Sequence, residues 1–349
     1  MHRKQITLAD LAKQLQISTA TVSRALKDYP DISQETKQRV LALAKELNYR
    51  PNTMAAGLRK RESKVIGVII PSIVNHFFSS VIKGIMEVAY QADYRVMLCQ
   101  SDESYEKETA DARALFNSRV DGLLVSLAHE TRHFDHFREF TDSGTPLVFF
   151  DKVPPREIFP EISRVVVDDY QGAYAAVSHL IGQGHRQIAH FSGPMQASTS
   201  SRRYQGYLQA LKDHGLHRDE QLVFACEDIT YDEGQAFAQQ LIEQNPACTA
   251  IFCITDMVAM GAMQGAKLKG RQIPTDMAIA GFSDWKMSSI VQPPLTSVAQ
   301  PSLEMGRIST QLLLQEIRSL KDDKPVHHET ITLETSLKIR ASSSLGVPT

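Results

Sequence analysis

From residue 65 onward the chain repeats one unit: a short run of apolar residues, then a longer stretch with helical patterning. The runs occupy residues 65–70, 95–99, 122–125, 147–150, 164–167, 188–191, 250–253 and 278–281. Strands covered on both faces read as continuous apolar runs, whereas half-exposed antiparallel strands alternate, so these strands are expected to lie parallel beneath helices. Strands and helices taking turns in this way predict a doubly wound α/β architecture. None of the runs approaches the roughly 18 residues of a membrane helix. The N-terminus is basic but has no apolar h-region and no small-residue cleavage site. No membrane is therefore expected, and the cytoplasm is the expected location.

Residues 65–349 are enough for two lobes facing one another. Several runs end in polar or special residues: Pro71-Ser72, Ser126, Asp151-Lys152, Ser192-Gly193-Pro194, Thr255-Asp256 and Ser283-Asp284. Ligands of open parallel sheets collect at the carboxyl ends of the strands, so these residues are expected to converge on a polar cleft, Ser126 and Asp256 among them.

Residues 1–61 differ in kind. They carry twelve Lys/Arg against five Asp/Glu, a net charge of +7, which leaves −9 for the rest of a chain whose formal sum is −2. A basic head on an acidic body points to a polyanionic partner for the head. Thr7 and Asp10 form a capping box with Asp in place of Glu, and Leu8, Leu11, Ala12 and Leu15 follow at helical spacing. Ser18 can cap a second helix running to Leu26, and a third begins near Ser33 with Val40, Leu43, Ala44 and Leu47 on its inner side. The second helix leaves Thr19, Ala20, Ser23, Arg24 and Lys27 outside. Such a stripe is by itself an ordinary solvated face, but it also suits the DNA major groove, where Arg reads guanine and Ala or Thr touches a thymine methyl.

The strings TLADLAKQLQISTATVSRAL and SQETKQRVLALAKELNYRPN resemble the helix-turn-helix headpiece of the LacI/GalR family of bacterial transcriptional regulators. The resemblance continues through RVDGLLV, GHRQIAHFSGP, RRYQGYLQAL, TAIFCITDMVAMGAM, IPTDMAIAGFSD and PPLTSVAQP, and so covers nearly the whole chain. It implies an N-terminal all-α helix-turn-helix headpiece at residues 1–50, a hinge helix and linker at 51–64, and a two-lobed α/β domain at 65–341, with a tail at 342–349. That domain would be like a periplasmic binding protein of type I, with doubly wound parallel sheets. Lobe 1 is expected at about 65–163 and 297–325, and lobe 2 at about 164–296 and 326–341.

Carried over by position, the resemblance makes Thr19, Ala20 and Arg24 base-reading residues. It makes Thr7, Ser18, Thr21, Ser23, Ser33, Thr36, Tyr49 and Asn52 phosphate contacts, which fix register while the first set chooses sequence. Residues 51–59, with Asn52, Ala55, Leu58 and Arg59, match a hinge that lies in the minor groove, with Leu58 the wedge between base steps. Gly57 weakens that helix by roughly 1 kcal/mol relative to Ala, so it is expected to form on the operator rather than before it. The effector positions fall on Phe77, Phe78, Asp151, Thr199, Arg203, Ile229, Thr255, Ser283 and Gln300. Two of these depart from the family pattern: Ser283 stands where an Asp is usual, with Asp284 one residue later, and Ile229 where an aromatic is common. Losing a carboxylate while keeping Arg203 favours an anionic effector, a sugar acid or sugar phosphate, over a neutral sugar or nucleobase. The partners implied are a pseudopalindromic operator with a central CG step and a second copy of the chain. The tail has no leucine heptad, so a dimer is expected. No cofactor is implied. A solute receptor sharing the body would lack the basic head.

Other signals carry less. His129-Glu130-Thr131-Arg132-His133 is a formal HExxH with His136 beyond it, but it follows a strand directly, where a loop and the start of a surface helix belong. No metal is expected there. Asp151, Asp168, Asp256 and Asp284 suit hydrogen-bond acceptors of a sugar cleft as well as acid–base pairs. The chain has no GxxxxGK[ST], GxGxxG or GxSxG, and no enzyme is expected. Cys99, Cys226, Cys248 and Cys253 form no CxxC pair and read as free thiols.

Overall fold

The computed structural model describes residues 6–49 and 62–344. The chain divides between Lys64 and Val65 into two compact units. The hinge residues Asn52, Ala55, Leu58 and Arg59 lie outside the described residues.

Among its described residues the first unit has three helices, α1 (Leu8–Leu15), α2 (Thr19–Leu26) and α3 (Gln34–Glu46). Each begins at the cap its sequence announces: Thr7 and Asp10 close a capping box, Ser18 accepts from the Thr21 amide, and Ser33 accepts from the Thr36 amide. Leu11, Val22 and Val40 are fully buried at the centre, one from each helix, with Ala12, Ala25 and Ala44 beside them. The turn joining α1 to α2 places Gln16 at φ 55, a left-handed conformation that glycine adopts more cheaply.

The second unit contains two six-stranded sheets. Its first lobe is built from β1 (Val65–Ile70), α4 (His76–Gln91), β2 (Arg95–Gln100), α5 (Tyr105–Asn117), β3 (Gly122–Val125), α6 (Asp135–Asp142), β4 (Leu147–Phe150) and β5 (Ser163–Val167). The second follows with α7 (Asp169–Gly182), β6 (Ile188–Ser192), α8 (Ser198–Asp213), β7 (Val223–Ala225), α9 (Tyr231–Gln244), β8 (Ala250–Cys253), α10 (Asp256–Leu268), β9 (Ala278–Ser283) and β10 (Thr296–Ala299). The chain then returns to lobe 1 as α11 (Ser302–Lys321) and ends in β11 (Thr330–Leu333) and β12 (Ser336–Lys338). Strand order is β11-β5-β4-β3-β1-β2 in the first sheet and β12-β10-β9-β8-β6-β7 in the second, every pairing parallel except β10 with β12. Helices α4 and α11 cross closely because both are glycine at the crossing. A Cβ on Gly84 would fall 2.2 Å from the Leu303 carbonyl oxygen, and one on Gly306 2.1 Å from that of Val81.

The lobe boundaries differ from the expected ones. Strand β5 pairs with β4, so residues 163–167 belong to lobe 1, whereas β10 pairs with β9 and belongs to lobe 2. The tail serves both lobes, β11 adding to the first sheet and β12 to the second. A doubly covered parallel strand has the same apolar signature in either sheet, so composition carries no sign of where the chain crosses. Among the described residues no helix is long and apolar enough to cross a membrane.

Candidate functional site

On the first unit, Thr19, Ala20, Arg24 and Lys27 are exposed along α2, opposite the buried Val22 and Ala25, while Thr21 and Ser23 are half-buried. Ser18 and Thr21 bond hydroxyl to hydroxyl at 2.8 Å, and Ser33 and Thr36 at 2.9 Å. Hydroxyl-bearing helix N-termini attract phosphate oxygens through free N–H groups and the positive end of the dipole. Tyr49 is half-buried against the same small core. The nearest group to Arg24 that sequence reasoning missed is Asp31, whose carboxylate pairs with its guanidinium.

In the second unit the polar strand ends face one another across the lobes. Contacts among the described residues bridge them. The Val153 amide, beyond β4, donates to Ser198 Oγ at the start of α8 at 3.1 Å. The His76 ring, at the start of α4, meets the ring of Trp285, beyond β9, with centroids 6.3 Å apart. In each sheet these bridges stand two strands apart, with β3 between β1 and β4 and β8 between β6 and β9. In strand order Ser126, after β3, and Thr255, beyond β8, fall between the two bridges.

The charged groups of the cleft are largely spent on each other. Arg203 is buried; its Nε donates to Asp169 Oδ1 at 2.8 Å, one terminal nitrogen donates to the Ile254 carbonyl at 2.7 Å, and its plane lies 3.7 Å from the Phe282 ring centroid. Lys152 Nζ sits 2.5 Å from both carboxylate oxygens of Glu103. Burial would raise the Glu103 carboxyl, but Lys152 and His129 overcome it and hold it at about 2. Asp151 accepts from Ser126 Oγ at 3.3 Å. Burial pushes its carboxyl up to about 7, against the pull of Lys152 and Arg203 and with added repulsion from Asp169 and Glu103. Gln300 Nε2 is buried with no hydrogen-bond partner among the described residues. Thr199 is buried at the start of α8. Asp151, Ile229, Ser283 and Asp284 all have positive φ. Strain of this kind costs about 1–3 kcal/mol a residue and gathers at ligand sites.

Several expected cleft residues, Asp256, Phe77, Phe78, Ile229 and Thr255, have structural partners of their own. Asp256 is a loop latch: its Oδ2 accepts from the Trp285 amide (2.8 Å) and Ser288 Oγ (2.7 Å), and its Oδ1 from Ser297 Oγ. Gly281 leaves room for it, since a Cβ there would come 2.3 Å from Asp256 Oδ1. Phe77 and Phe78 pack edge to face, 5.1 Å apart, within the lobe 1 core of Val81 and Ile85. Ile229 packs on the lobe 2 core, and Thr255 caps α10. Asp284 pairs with Arg340 at 2.7 Å. The residues missed in the sequence are Asp169, Glu103, Ser198 and Trp285. The doublet Asp168-Asp169 directly after a buried strand was the available signal for the first of these.

The HExxH string has local duties. Residues 129–134 are loop, with α6 starting at Asp135. The His129 amide donates to Glu103, Glu130 accepts from the Tyr105 amide, and His136 Nε2 lies 3.0 Å from the fully buried Glu108. Among the described residues no group of three or more His, Cys, Asp or Glu is arranged to hold a metal ion.

Residues 7–52 match the family described as bacterial regulatory proteins, lacI family, and residues 63–340 match periplasmic binding proteins and sugar binding domain of LacI family. The ribose operon repressor of Halalkalibacterium halodurans is 33% identical over 340 residues, covering 97% of this chain and 98% of the relative. The lac repressor dimer bound to operator and the anti-inducer ONPF superposes with a TM-score of 0.81 at 26% identity, covering 97% of this chain and 99% of that one. A complex of the transcriptional regulator CelR with cellobiose has a TM-score of 0.72 at 28% identity, covering 97% and 100%.

Proposed function

The chain belongs to the LacI family of bacterial regulatory proteins, and on that premise we propose which of its groups meet DNA and what kind of effector it binds. It is a DNA-binding transcriptional repressor with an effector domain, and not an enzyme. Thr19, Ala20 and Arg24 read bases, while Thr7, Ser18, Thr21, Ser23, Ser33, Thr36 and Tyr49 hold phosphates. The exposed face of α2 supports this reading, because its short side chains let the helix approach a groove floor. A dimer would place two headpieces on a pseudopalindrome, with both copies of Leu58 at a central CG step. A protein that works on operators would reside in the cytoplasm.

The effector is a small, uncharged, polyhydroxylated ring. The observation that carries this is the Arg203–Asp169 ion pair: the cation that made an anionic effector attractive in the sequence already has a buried counter-ion. Lys152 is likewise paired with Glu103. Hydroxyls at Ser126 and Ser283, the free Gln300 amide nitrogen and the Asp151 carboxyl supply donors and acceptors of the kind sugar hydroxyls need. The cellobiose carried by CelR is a neutral sugar, which agrees.

A thermal-shift screen of the full chain tests this. D-ribose, cellobiose or another neutral sugar should raise the melting temperature, while D-gluconate and glucose 6-phosphate should not. Stabilisation by the acids alone would overturn the neutral reading. Binding of the active sugar alters operator affinity only through unequal affinity for two lobe arrangements, typically by about 5–150-fold.

A further inference from the structure

Arg24 leaves the outer face of α2, yet it is not a loose side chain. Its guanidinium pairs with the carboxylate of Asp31 and lies 5.5 Å from the centroid of the Tyr29 ring. The loop that carries both partners is itself pinned. The Tyr29 amide donates to the Arg24 carbonyl at 3.1 Å, and the Ile32 amide to the Tyr29 carbonyl at 3.3 Å. Ahead of them Asp28 turns through φ 55 and pairs with Lys37 at 2.6 Å, a lysine that is buried in α3. Beyond them Ile32 packs on the small core. Asp31 therefore stands on an anchored loop, on the side of α2 that carries Arg24.

We infer that Asp31 is a positioning residue for Arg24, holding its guanidinium so that the remaining donors meet one base edge, and thereby setting the headpiece's choice of guanine at that place. The inference rests on the reading of Arg24 as a base contact. A guanidinium has five donors in a fixed plane, so a carboxylate can hold one edge while another edge meets guanine O6 and N7. An arginine fixed in advance loses less side-chain freedom on binding. Its carboxylate neighbour also makes the face less welcoming to phosphate, which weakens non-specific binding.

The test uses the full-length chain and the duplex that it enriches from a random pool, together with all single-base variants of that duplex, at one ionic strength. Arg24→Ala first identifies the position where base discrimination collapses. Asp31→Asn should then lower discrimination at that position by about 3–10-fold out of the roughly 5–150-fold that a bidentate arginine supplies, and leave other positions within about twofold. In the Arg24→Ala background Asp31→Asn should change nothing there. Asp31→Glu, which keeps the charge, should recover part of the loss. Both side chains of the pair are half exposed, so the melting temperature should not move. Unchanged discrimination in Asp31→Asn would overturn the inference. So would an equal loss with Arg24 already absent, which would mean that Asp31 touches a base itself. If Arg24→Ala left every base preference intact, the base-reading role of Arg24 would fall first and this inference with it.

Discussion

The headpiece keeps its proposed recognition residues in solvent, with Thr19, Ala20 and Arg24 exposed on a single helix, whereas the proposed cleft residues are buried and bonded to one another, as Arg203 is to Asp169 and Asp151 to Ser126. The difference follows from what each partner brings. A duplex arrives with a charged surface and its own ordered water, so the protein needs only to offer donors at the right spacing. A small effector must be stripped of water, and the groups that receive it must already be satisfied or neutralised before it comes. Changes in the headpiece should therefore alter binding with little effect on folding, while changes in the cleft should alter both.

The widest separation is expected between two arginines. Arg203→Ala leaves Asp169 buried without its counter-ion and should destabilise the body by about 3–5 kcal/mol, read as a lowered urea midpoint. Arg24→Ala should leave that midpoint in place and weaken operator binding by about 1–3 kcal/mol in a fluorescence-anisotropy titration. A large midpoint shift for Arg24, or none for Arg203, would break the comparison.

Acid should also act on the body rather than the head. His190 is fully buried beneath Tyr207 and Phe252, and burial lowers its imidazole from 6.5 to about 4. The unfolded chain takes up that proton first, so stability falls as pH drops from about 6.5 to 4, by at most about 3 kcal/mol. Asp151 works in the opposite sense: its carboxyl is raised from 3.8 to about 7, so its contribution is full below about 3.8 and is lost as pH rises through 7. Unfolding midpoints of the wild type and His190→Phe measured from pH 4.5 to 7.5 should show the wild type losing ground to the variant as pH falls.

Smaller effects sharpen the boundary. Asp256→Asn weakens the latch on the Trp285 segment and should cost about 1–3 kcal/mol. Trp285 is the only tryptophan, so its emission maximum should shift to the red as the segment loosens. Gln16→Gly relieves a left-handed backbone and should stabilise the headpiece by about 1 kcal/mol without changing operator affinity.

The strands of the body were legible because a doubly buried strand has to be a continuous apolar run, and seven such runs fall on β1, β3–β6, β8 and β9, while the half-exposed edge strand β2 was legible from its apolar run alone. The strands β7, β11 and β12 escaped because they are edge strands of three or four residues, with alternating exposure in β11 and β12, and β10, although central and buried, escaped because half of its residues, Thr296 and Ser297, carry hydroxyls. The helix caps at Thr7, Ser18 and Ser33 were readable because they act within four residues. The ion pairs were not, since Arg203 and Asp169 lie 34 residues apart and Lys152 and Glu103 lie 49 apart, and no local rule links such positions. This is why the sequence showed the cations Arg203 and Lys152 without their counter-ions.

The last crossing between the lobes is very short. Only Glu334 and Thr335 separate β11, hydrogen-bonded along its length to the first sheet, from β12 on the second. At 3.8 Å per step, the Cα atoms of Leu333 and Ser336 can never be more than about 11 Å apart. With both flanking strands zipped in place, this seam acts as a pivot rather than a strap. Relative motion of the two lobes is therefore smallest at this seam and largest at the rim farthest from it.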